Sequence, residues 1–386
     1  MTVTFYSNYL THHQIPFCNA MYELLGNGFT FVETEQVEQE RRDLGWSFNS
    51  NYPYCLSAYK SEENYSKSIR LASESDIIIH GSASEIYMKI RRETGKPAFR
   101  YSERLFKRGL RMLLNPRTLR SYLIQHTRYR HYPLYMLCAS AYTSFDCKRL
   151  FAYPEKCFKW GYFTEFKNHN LEGLLSSKNS SSVKILWAGR FIGLKHPEAA
   201  IGVGRYLTSK NIDYTMYFIG DGEHREQLQK SSACESDRIK FLGTMNPSEV
   251  RLQMEISDIF LLTSDFQEGW GAVLNEAMNS GCAVVASHAA GAVRFLLRHG
   301  ANGFIYESGD TDSLCKYVEL LATNPDLRRK FGAEAYKTIK EEWNPHIAAS
   351  RLISLCNTVL ENRNLDIFKD GPCSKAVVIR NKDYSF

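Results

Sequence analysis

The chain lacks a long apolar run, a paired cysteine motif and a glycine fingerprint after its first strand. Without ~18 or more consecutive apolar residues, no segment is expected to span a membrane. The ten cysteines include no C-x-x-C pair, so neither a zinc site nor a disulfide framework is indicated, and we expect the reduced thiols of a cytoplasmic protein. The first residues lack the charged and apolar regions of a signal peptide and are predicted to form a strand.

The length and composition predict two domains. A chain of 386 residues with 44% hydrophobic residues can bury two separate cores. Short apolar segments alternate with helical ones, which is typical of α/β domains with parallel sheets. Residues 167–182 are rich in Asn, Ser and Lys and are predicted to be a solvated linker or the opening loop of the second domain.

Two glutamates flank a glycine-containing segment, Glu268-Gly-Trp-Gly-Ala-Val-Leu-Asn-Glu276. A strand is predicted before it and a helix that stops at Gly281 after it, with Glu268 just before that helix and Glu276 about a turn and a half inside. The glycines let backbone N–H groups approach a ligand, and the helix start favours an anion. Alone, the two glutamates would be a solvated helix face. Together with the glycines they suit a molecule with a central phosphate and hydroxyls at both ends, such as a nucleotide sugar.

Two cations stand upstream in a complementary position. Arg190 and Lys195 follow an apolar strand that is predicted to end at Ala188, and Pro197 opens the next helix. Open α/β sheets bind ligands at the carboxyl ends of their strands. Taken alone, the two cations would be interpreted as exposed side chains of an ordinary turn. Beside the glutamate motif they indicate a diphosphate site that needs no metal.

In their order along the chain, these motifs resemble the retaining glycosyltransferases of family 4, also described as group 1, which have the GT-B fold. The resemblance covers roughly residues 183–345 and is carried by these segments: Ala188-Gly-Arg190 with Lys195, Phe218-Ile-Gly-Asp-Gly-Glu223, Phe241-Leu-Gly243, Ser257–Ser264, Glu268–Ala286 and Asn302-Gly303. It implies an α/β protein with two Rossmann-like domains whose parallel sheets face a central cleft. The implied boundaries are an acceptor-binding domain at 1–165, a nucleotide-sugar-binding domain at 166–345, and a C-terminal helix at 346–386 that crosses back to the first domain and ends in a polar tail.

The resemblance also implies an activity. It is the transfer of a hexose from a UDP- or GDP-sugar to a glycan or lipid-linked acceptor with retention of configuration, in the synthesis of a bacterial surface polysaccharide such as lipopolysaccharide or capsule. No cofactor is implied besides the donor, which is a substrate. Arg190 and Lys195 would hold the diphosphate, Glu268 the donor sugar and Glu276 the ribose. Further donor contacts are implied for Gly189, Gly220, Gly222, Gly269, Trp270, Gly271, Ala272 and Val273.

The first domain departs from the family's pattern. The first loop, Asn8–Gln14, lacks the usual glycine pair, and the strand in Lys96–Glu103 lacks the usual histidine. His80 ends another predicted strand and is our candidate for a substitute catalytic residue, with Glu103 as its rival. Arg294 stands where the family commonly has a glutamate, so no role is assigned to it.

Asp310-Thr-Asp312 matches the D-x-D pattern of metal-dependent sugar transferases. The segment follows Ser308-Gly309 and precedes a helical run, so an N-cap with an acid in the first turn explains it. We therefore predict no metal site and no obligatory metal.

Residues 100–130 are strongly basic, with nine Arg and Lys residues against Glu103 alone. Interleaved leucines predict a basic amphipathic helix, which favours an anionic membrane surface. A solvated helix face and a nucleic-acid surface are the alternatives. We place the membrane or a lipid-linked acceptor first and expect no nucleic-acid partner. The expected location is cytoplasmic, peripheral on the inner face of the plasma membrane.

Three other classes of function stay open. A nucleotide-sugar epimerase would share the architecture but need no acceptor. A nucleotide-sugar-binding protein without catalytic activity would fit if the departures of the first domain from the family's pattern abolish catalysis. A dinucleotide oxidoreductase is disfavoured, because Gly220-Asp-Gly222 stands alone without the fingerprint after the first strand.

Overall fold

The computed structural model describes residues 1–37, 51–178, 182–233 and 237–383. These residues form two compact units. The first comprises Met1–Glu165 and Trp343–Arg380, and the second comprises Phe166–Glu342 together with the described tail from Asn381.

The first unit is built on a seven-stranded parallel sheet with the order β3-β2-β1-β4-β5-β6-β7. Three of its inner strands, those at Val3–Ser7, Ile77–His80 and Leu134–Cys138, are buried throughout, as expected when helices cover both faces of a parallel sheet. The strands are β1 Val3–Ser7, β2 Phe29–Glu33, β3 Cys55–Ser57, β4 Ile77–His80, β5 Ala98–Ser102, β6 Leu134–Cys138 and β7 Cys157–Lys159. The helices are α1 Ile15–Leu25, α2 Glu62–Glu74, α3 Glu85–Thr94, α4 Pro116–Tyr122 and α5 Thr143–Arg149.

The second unit has a six-stranded parallel sheet with the order β10-β9-β8-β11-β12-β13. Its strands are β8 Val183–Ala188, β9 Tyr214–Ile219, β10 Ile239–Gly243, β11 Ile259–Leu262, β12 Ala283–Ser287 and β13 Phe304–Tyr306. Its helices are α6 Leu171–Ser177, α7 Pro197–Ser209, α8 Arg225–Ser231, α9 Pro247–Ile256, α10 Val273–Asn279, α11 Val293–Leu296, α12 Thr311–Thr323 and α13 Pro325–Glu341. A core of buried aliphatic and aromatic side chains from these elements fills one face of the sheet.

The last helix, α14 Pro345–Leu360, lies in the first unit, where it packs against α1. The chain after it pairs with the outer strand of the same sheet through an antiparallel bridge between Phe158 and Lys375. In the described part of the chain, no helix is both long enough and apolar enough to cross a membrane.

In both sheets the strand order reverses next to the first strand of the unit. The reversal falls between β1 and β4 in the first unit and between β8 and β11 in the second. In open α/β sheets the crevice at the carboxyl ends of the two strands beside this reversal is the usual ligand position. The loop after Ala188 and the loop after Leu262 therefore flank the expected binding position of the second unit.

The predictions for two longer segments were wrong. Residues 100–130 do not form one amphipathic helix. They contain the end of β5, a short 3₁₀ turn at Leu110–Leu114, helix α4 and a π-helical turn at Leu123–Thr127, because Gly109 at φ +83° and Pro116 interrupt the run. Residues 167–182 were predicted to be a linker or an opening loop, but the described part includes helix α6 with Leu175 buried, while residues 179–181 lie outside the described residues.

Candidate functional site

Two loops of the second unit are tied together at the carboxyl ends of β8 and β11. The Thr263 hydroxyl donates to the backbone carbonyl of Lys195 at 2.6 Å, and the backbone N–H of Asp265 donates to Leu194 at 2.9 Å. Behind them the buried indole of Trp187 donates to the Thr263 oxygen at 2.9 Å. The loop that carries Arg190 and Lys195 is thus fixed against the loop that carries Glu268.

Lys195 and Glu268 meet directly. The Lys195 ammonium forms an ion pair with Oε2 of Glu268, and the hydroxyl of Ser264 donates to the same oxygen at 3.0 Å. Both charged side chains are mostly buried, with 16% and 14% of their surface exposed. The predicted diphosphate cation and the predicted sugar-binding carboxylate therefore lie side by side, and they balance each other's charge.

Arg190 lies on the same loop but is exposed. Among the residues that the structure describes, none forms an ion pair or a side-chain hydrogen bond with its guanidinium. Since a guanidinium presents several N–H donors in one plane, Arg190 is available to bind two phosphate oxygens at once.

The glycine segment turns the chain from β11 into α10. Gly271 has φ +88°, a conformation that favours glycine, and a Cβ atom there would lie 3.6 Å from Cγ of Glu268. Helix α10 begins only at Val273, so Glu276 lies in its first turn rather than a turn and a half inside it. The N–H of Leu274 donates to the carbonyl of Gly271 at 2.9 Å, and a helix start of this kind favours an anion nearby.

Three of the residues predicted to contact the donor have structural environments that explain their identity. The ring of Trp270 is fully buried, with Nε1 donating to Oδ1 of Asn275 at 2.9 Å, so the indole is held inside the second unit. A Cβ atom on Gly220 would lie 2.0 Å from the carbonyl oxygen of Gly189, and one on Gly222 would lie 2.7 Å from that of Phe191. Gly220 and Gly222 are thus required where the β9 loop packs behind the Arg190 loop.

His196 was not among the residues selected from the sequence, yet it follows Lys195 on one loop and its side chain contacts Asp265 on the other. Its Nδ1 is 2.8 Å from Oε1 of Glu198 and its Nε2 is 3.4 Å from Oδ2 of Asp265. The hydrogen bond to Glu198 is the main reason that the pKa of His196 is raised above its ordinary value, and Asp265 adds to the effect. A histidine between a lysine and a helix-opening proline was the only signal for it.

The candidate His80 lies at the end of β4 in the first unit, and it is only 3% exposed. Its Nε2 is 3.1 Å from the carbonyl oxygen of Ser84, and across the strands it faces Arg100, whose guanidinium binds both oxygens of Glu85 at 2.7 Å. Burial, and then the charge of Arg100, lower the pKa of His80 to about 4, so the ring is neutral near pH 7. This enclosed environment fits packing of a strand-end histidine better than contact with a substrate.

The first loop and Glu103 come together in the first unit through Tyr162. The ring of His13 lies nearly parallel to that of Tyr162 with centroids 6.0 Å apart, and the Tyr162 hydroxyl donates to Oε1 of Glu103 at 2.7 Å. Oε2 of Glu103 forms an ion pair with Lys107. Glu103 is therefore a half-buried carboxylate at the carboxyl end of the first sheet, where a substrate can be expected.

The D-x-D segment caps a helix, as predicted. The carboxylate of Asp310 accepts from the backbone N–H of Ser313 at 3.0 Å at the start of α12, and this hydrogen bonding lowers the pKa of Asp310. Within the described ranges, no group of three or more His, Cys, Asp and Glu side chains is arranged to hold a metal ion.

Comparison with known proteins identifies the class of the second unit. Residues 176–338 match the family model described as "Glycosyl transferases group 1". The match covers less than half of the chain and confirms, over this segment, the resemblance seen in the motifs.

Two curated relatives are glycosyltransferases. An uncharacterized glycosyltransferase of Haemophilus influenzae is 30% identical over 169 residues, which are 41% of this chain and 47% of the relative. The phosphatidyl-myo-inositol mannosyltransferase of Mycobacterium leprae is 31% identical over 150 residues, 38% of each chain. The chain thus spans less than half the length of the curated relatives it matches.

The fold is shown by solved structures. The crystal structure of Anabaena HepE in complex with UDP superposes with a TM-score of 0.64 over 92% of this chain and 98% of that chain, at 15% sequence identity. The predicted α/β architecture of the GT-B class is therefore confirmed.

Proposed function

We propose that this chain transfers a sugar from a UDP- or GDP-sugar to a glycan or lipid-linked acceptor with retention of configuration, as in family 4. The observation that carries the proposal is the position of Arg190, Lys195 and Glu268 on two fastened loops at the strand-order reversal of a group 1 glycosyltransferase domain. The UDP in the HepE structure and the mannosyltransferase activity named for the Mycobacterium leprae relative are consistent with a nucleotide-sugar donor.

In this proposal the diphosphate of the donor binds the two cations. Arg190, which is exposed, would contact phosphate oxygens. Lys195 would interact with the phosphate as well as with Glu268, with which it forms an ion pair. Both stabilise the charge that develops as the nucleoside diphosphate leaves, and fixed donors of this kind are often the largest contribution to catalysis. The backbone N–H groups of Gly271, Ala272 and Val273 would add further donors.

The two glutamates would bind hydroxyls at the two ends of the donor. Glu268 would accept from the donor sugar and Glu276 from the ribose. The carboxylate of Glu268 is already held by Ser264 and Lys195, so little side-chain freedom remains to be lost on binding. No protein base is assigned, because the leaving phosphate would take the proton of the acceptor hydroxyl. No obligatory metal is assigned either.

The first unit would bind the acceptor and position its hydroxyl, which is a contribution of proximity rather than of acid–base chemistry. Its carboxyl edge offers Glu103, Tyr162 and His13 for this purpose. His80 is less suited, because only 3% of its surface is exposed.

Residues 108–130 would supply the contact with an anionic membrane surface. Leu110, Leu114, Leu123 and Ile124 are 39%, 80%, 40% and 41% exposed, which is unusual for so many leucine and isoleucine side chains within one short segment. Six exposed arginines stand among them in the sequence: Arg108, Arg111, Arg117, Arg120, Arg128 and Arg130. The segment from Arg104 to His131 contains no Asp or Glu, so no acid within it neutralises these charges.

The proposed setting is synthesis of a bacterial surface polysaccharide on the inner face of the plasma membrane, with a lipid-linked acceptor. Each Arg near an anionic surface contributes about 1 kcal/mol of attraction, and the exposed leucines would enter the interface. Co-sedimentation with anionic and with neutral phosphatidylcholine liposomes tests this part. We expect binding to the anionic liposomes, a marked loss in the double variant Arg111→Glu and Leu114→Ser, and no loss in a control variant of an exposed apolar residue elsewhere, Leu252→Ser. Equal binding to neutral and anionic lipid would contradict the proposal.

Product analysis tests the reaction itself. The chain is incubated with UDP- and GDP-sugars and a lipid extract of a polysaccharide-producing bacterium, and the products are separated and their anomeric configuration is determined by NMR. A glycosylated lipid with the donor's anomeric configuration supports the proposal. An epimerised donor sugar would instead identify an epimerase, and an unchanged donor that nevertheless binds would identify a binding protein.

A further inference from the structure

His196 occupies an unusual backbone position between the two loops of the candidate donor site. It follows Lys195, precedes Pro197 and has φ +46° and ψ +52°, a left-handed conformation that only a few residue types other than glycine adopt readily, among them Asn, Asp and His. The residue is the N-cap of α7, but its side chain makes no capping hydrogen bond. The ring instead reaches two carboxylates, those of Glu198 and Asp265.

These two carboxylates belong to separate parts of the chain. Glu198 is in the first turn of α7, directly after the Lys195 loop. Asp265 begins the turn that leads to Glu268, because its backbone carbonyl accepts from the N–H of Glu268 at 3.1 Å and its Oδ1 accepts from the N–H of Gln267 at 2.8 Å. The His196 ring therefore connects the loop of the predicted diphosphate cation to the turn of the predicted sugar-binding carboxylate.

The protonation state of the ring decides how strong this connection is. A neutral imidazole has a single N–H and can donate to only one of the two carboxylates, leaving a lone pair facing the oxygen of the other. The imidazolium donates to both and adds attraction of opposite charges. Other titratable groups nearby include Lys195, which precedes the ring in the chain, and Tyr306 and His224, which both interact with Glu198. His224 in turn lies 3.5 Å from Oε1 of Glu223 through its Nε2.

We propose that His196 is a positioning residue: its imidazolium fastens the Lys195 loop to the Glu268 turn, and loss of its proton loosens both and weakens diphosphate binding. The pKa of His196 is raised, first by its hydrogen bond to Glu198, so the protonated form is kept to higher pH than in the unfolded chain. The ring therefore donates to both carboxylates when the pH is below the ordinary histidine pKa. It loses one of these hydrogen bonds as the pH rises through the raised pKa of the folded chain. The part of this inference that concerns diphosphate binding rests on the proposed function, whereas the fastening of the loops does not.

Hydrogen exchange tests the fastening without any ligand. Exchange of the Asp265 and Glu268 amides is followed from about pH 5.5 to about pH 9 and divided by the intrinsic exchange rate at each pH. We expect the protection of both amides to fall by roughly threefold to tenfold with one titration step, whose midpoint equals the pKa of His196 measured by NMR. The variant His196→Asn, which keeps a side chain suited to the left-handed backbone, should show the low protection at every pH.

Two further variants show whether the titration step belongs to the contact between His196 and Asp265. Asp265→Asn removes one of the two carboxylates, so the step should become smaller and move to lower pH. His346→Gln is the matched control, because His346 is an exposed histidine 3.5 Å from Glu23 in the first unit, and it should leave the step unchanged. A step of the same size in His196→Asn, or constant protection in the unaltered chain, would overturn the fastening.

Binding of inorganic pyrophosphate, UDP and GDP to the unaltered chain and to His196→Asn tests the consequence. The ligands' own titration is common to both proteins and cancels in the ratio of their affinities. We expect the unaltered chain to bind more tightly, by roughly threefold to tenfold, only on the acidic side of the same midpoint. A ratio of the two proteins' affinities that does not change with pH would overturn the proposed role in diphosphate binding. Exchange that titrates as expected, with none of the three ligands bound at any pH, would support the fastening and refute the proposed donor site.

Discussion

Lys195 and Glu268 form an ion pair across two loops, although 73 positions separate them in the chain. The side chain of each was predicted to contact a different part of a nucleotide sugar, the lysine its diphosphate and the glutamate its sugar. In the structure the ammonium and the carboxylate satisfy one another, and Ser264 adds a hydrogen bond. A donor that binds here has to share the lysine with the glutamate, so substitutions of the two residues should have opposite effects on nucleotide affinity.

The variants Lys195→Ala and Glu268→Gln test this sharing. Lys195→Ala removes the cation and leaves a mostly buried carboxylate facing the phosphate, so we expect weaker UDP or GDP binding and a loss of about 10²–10³ in kcat. Glu268→Gln frees the lysine, so we expect nucleoside diphosphate affinity to be kept or increased while sugar transfer falls. Calorimetry measures the nucleoside diphosphate affinity of each variant, and steady-state kinetics measures its kcat for sugar transfer. Parallel losses of nucleotide affinity in both variants would contradict the assigned roles.

Replacement of Arg190 by lysine tests the open side of the site. Arg190→Lys keeps the charge but loses the planar group that can bind two phosphate oxygens, so we expect about a tenfold lower kcat/KM. Because Arg190 is exposed, stability should change by no more than ~0.5 kcal/mol. Arg329→Lys, an exposed arginine on α13, is the matched control and should have full activity. Equal activity of the two variants would remove Arg190 from the site.

The strand and helix pattern was the most predictable part of the fold. The strand predicted to end at Ala188 ends there, and the helix predicted to open at Pro197 begins there, because buried apolar runs between polar turns are a local signal. The basic segment was not predictable in the same way. Arg104 is turned inward by the buried carboxylate of Asp146, 42 positions away, which no local pattern indicates.

Substitution of Gly220 tests whether its glycine is required by packing. A Cβ atom there would lie 2.0 Å from the Gly189 carbonyl oxygen and the backbone has φ +125°, so Gly220→Ala should destabilise the second unit by ~3 kcal/mol or more. Gly202→Ala is the control, because no atom lies within 4 Å of its added Cβ in α7, and it should stabilise by about 0.5–1 kcal/mol. Thermal unfolding of both variants measures this. A Gly220→Ala protein of unchanged stability would contradict the packing explanation.

Three histidines of the first unit predict a loss of stability in mild acid. Burial lowers the pKa of His13 and His126 to about 3 and that of His80 to about 4, each from an ordinary value of 6.5. Below that ordinary value the unfolded chain binds protons that the folded chain does not. Each histidine that stays neutral in the folded chain therefore lowers the free energy of unfolding by about 1.4 kcal/mol for each unit by which the pH falls below that value.

Urea unfolding between about pH 6.5 and about pH 5 isolates this effect from most carboxylate titration. We expect stability to fall as the pH falls, and a smaller slope in His126→Gln, which removes one of the three groups. The ring of His126 is 2.7 Å from the Tyr153 hydroxyl, so the variant will also be somewhat less stable at neutral pH, and only its slope is diagnostic. A flat profile in the unaltered chain would show that these rings titrate normally.

The site was predictable in type but not in arrangement. Arg190, Lys195, Glu268 and Glu276 were selected because charged residues and glycines follow apolar strands, which is visible in the sequence. Their mutual contacts depend on β8 and β11 being neighbours, a consequence of strand order that spacing does not reveal. For the same reason the contact of His196 with Asp265 had no sequence signal.

The central claim is that the second unit binds a nucleotide sugar through these residues. Thermal stability of the unaltered chain, Lys195→Ala and Glu276→Ala, each with UDP, GDP, ADP and CMP, tests it most directly. At ~100 times its dissociation constant, the correct nucleotide should add about 2.7 kcal/mol to the stability of the unaltered chain, and this gain should be lost in both variants. A gain that persists in both variants would place the nucleotide elsewhere, and no gain with any nucleotide would contradict the claim.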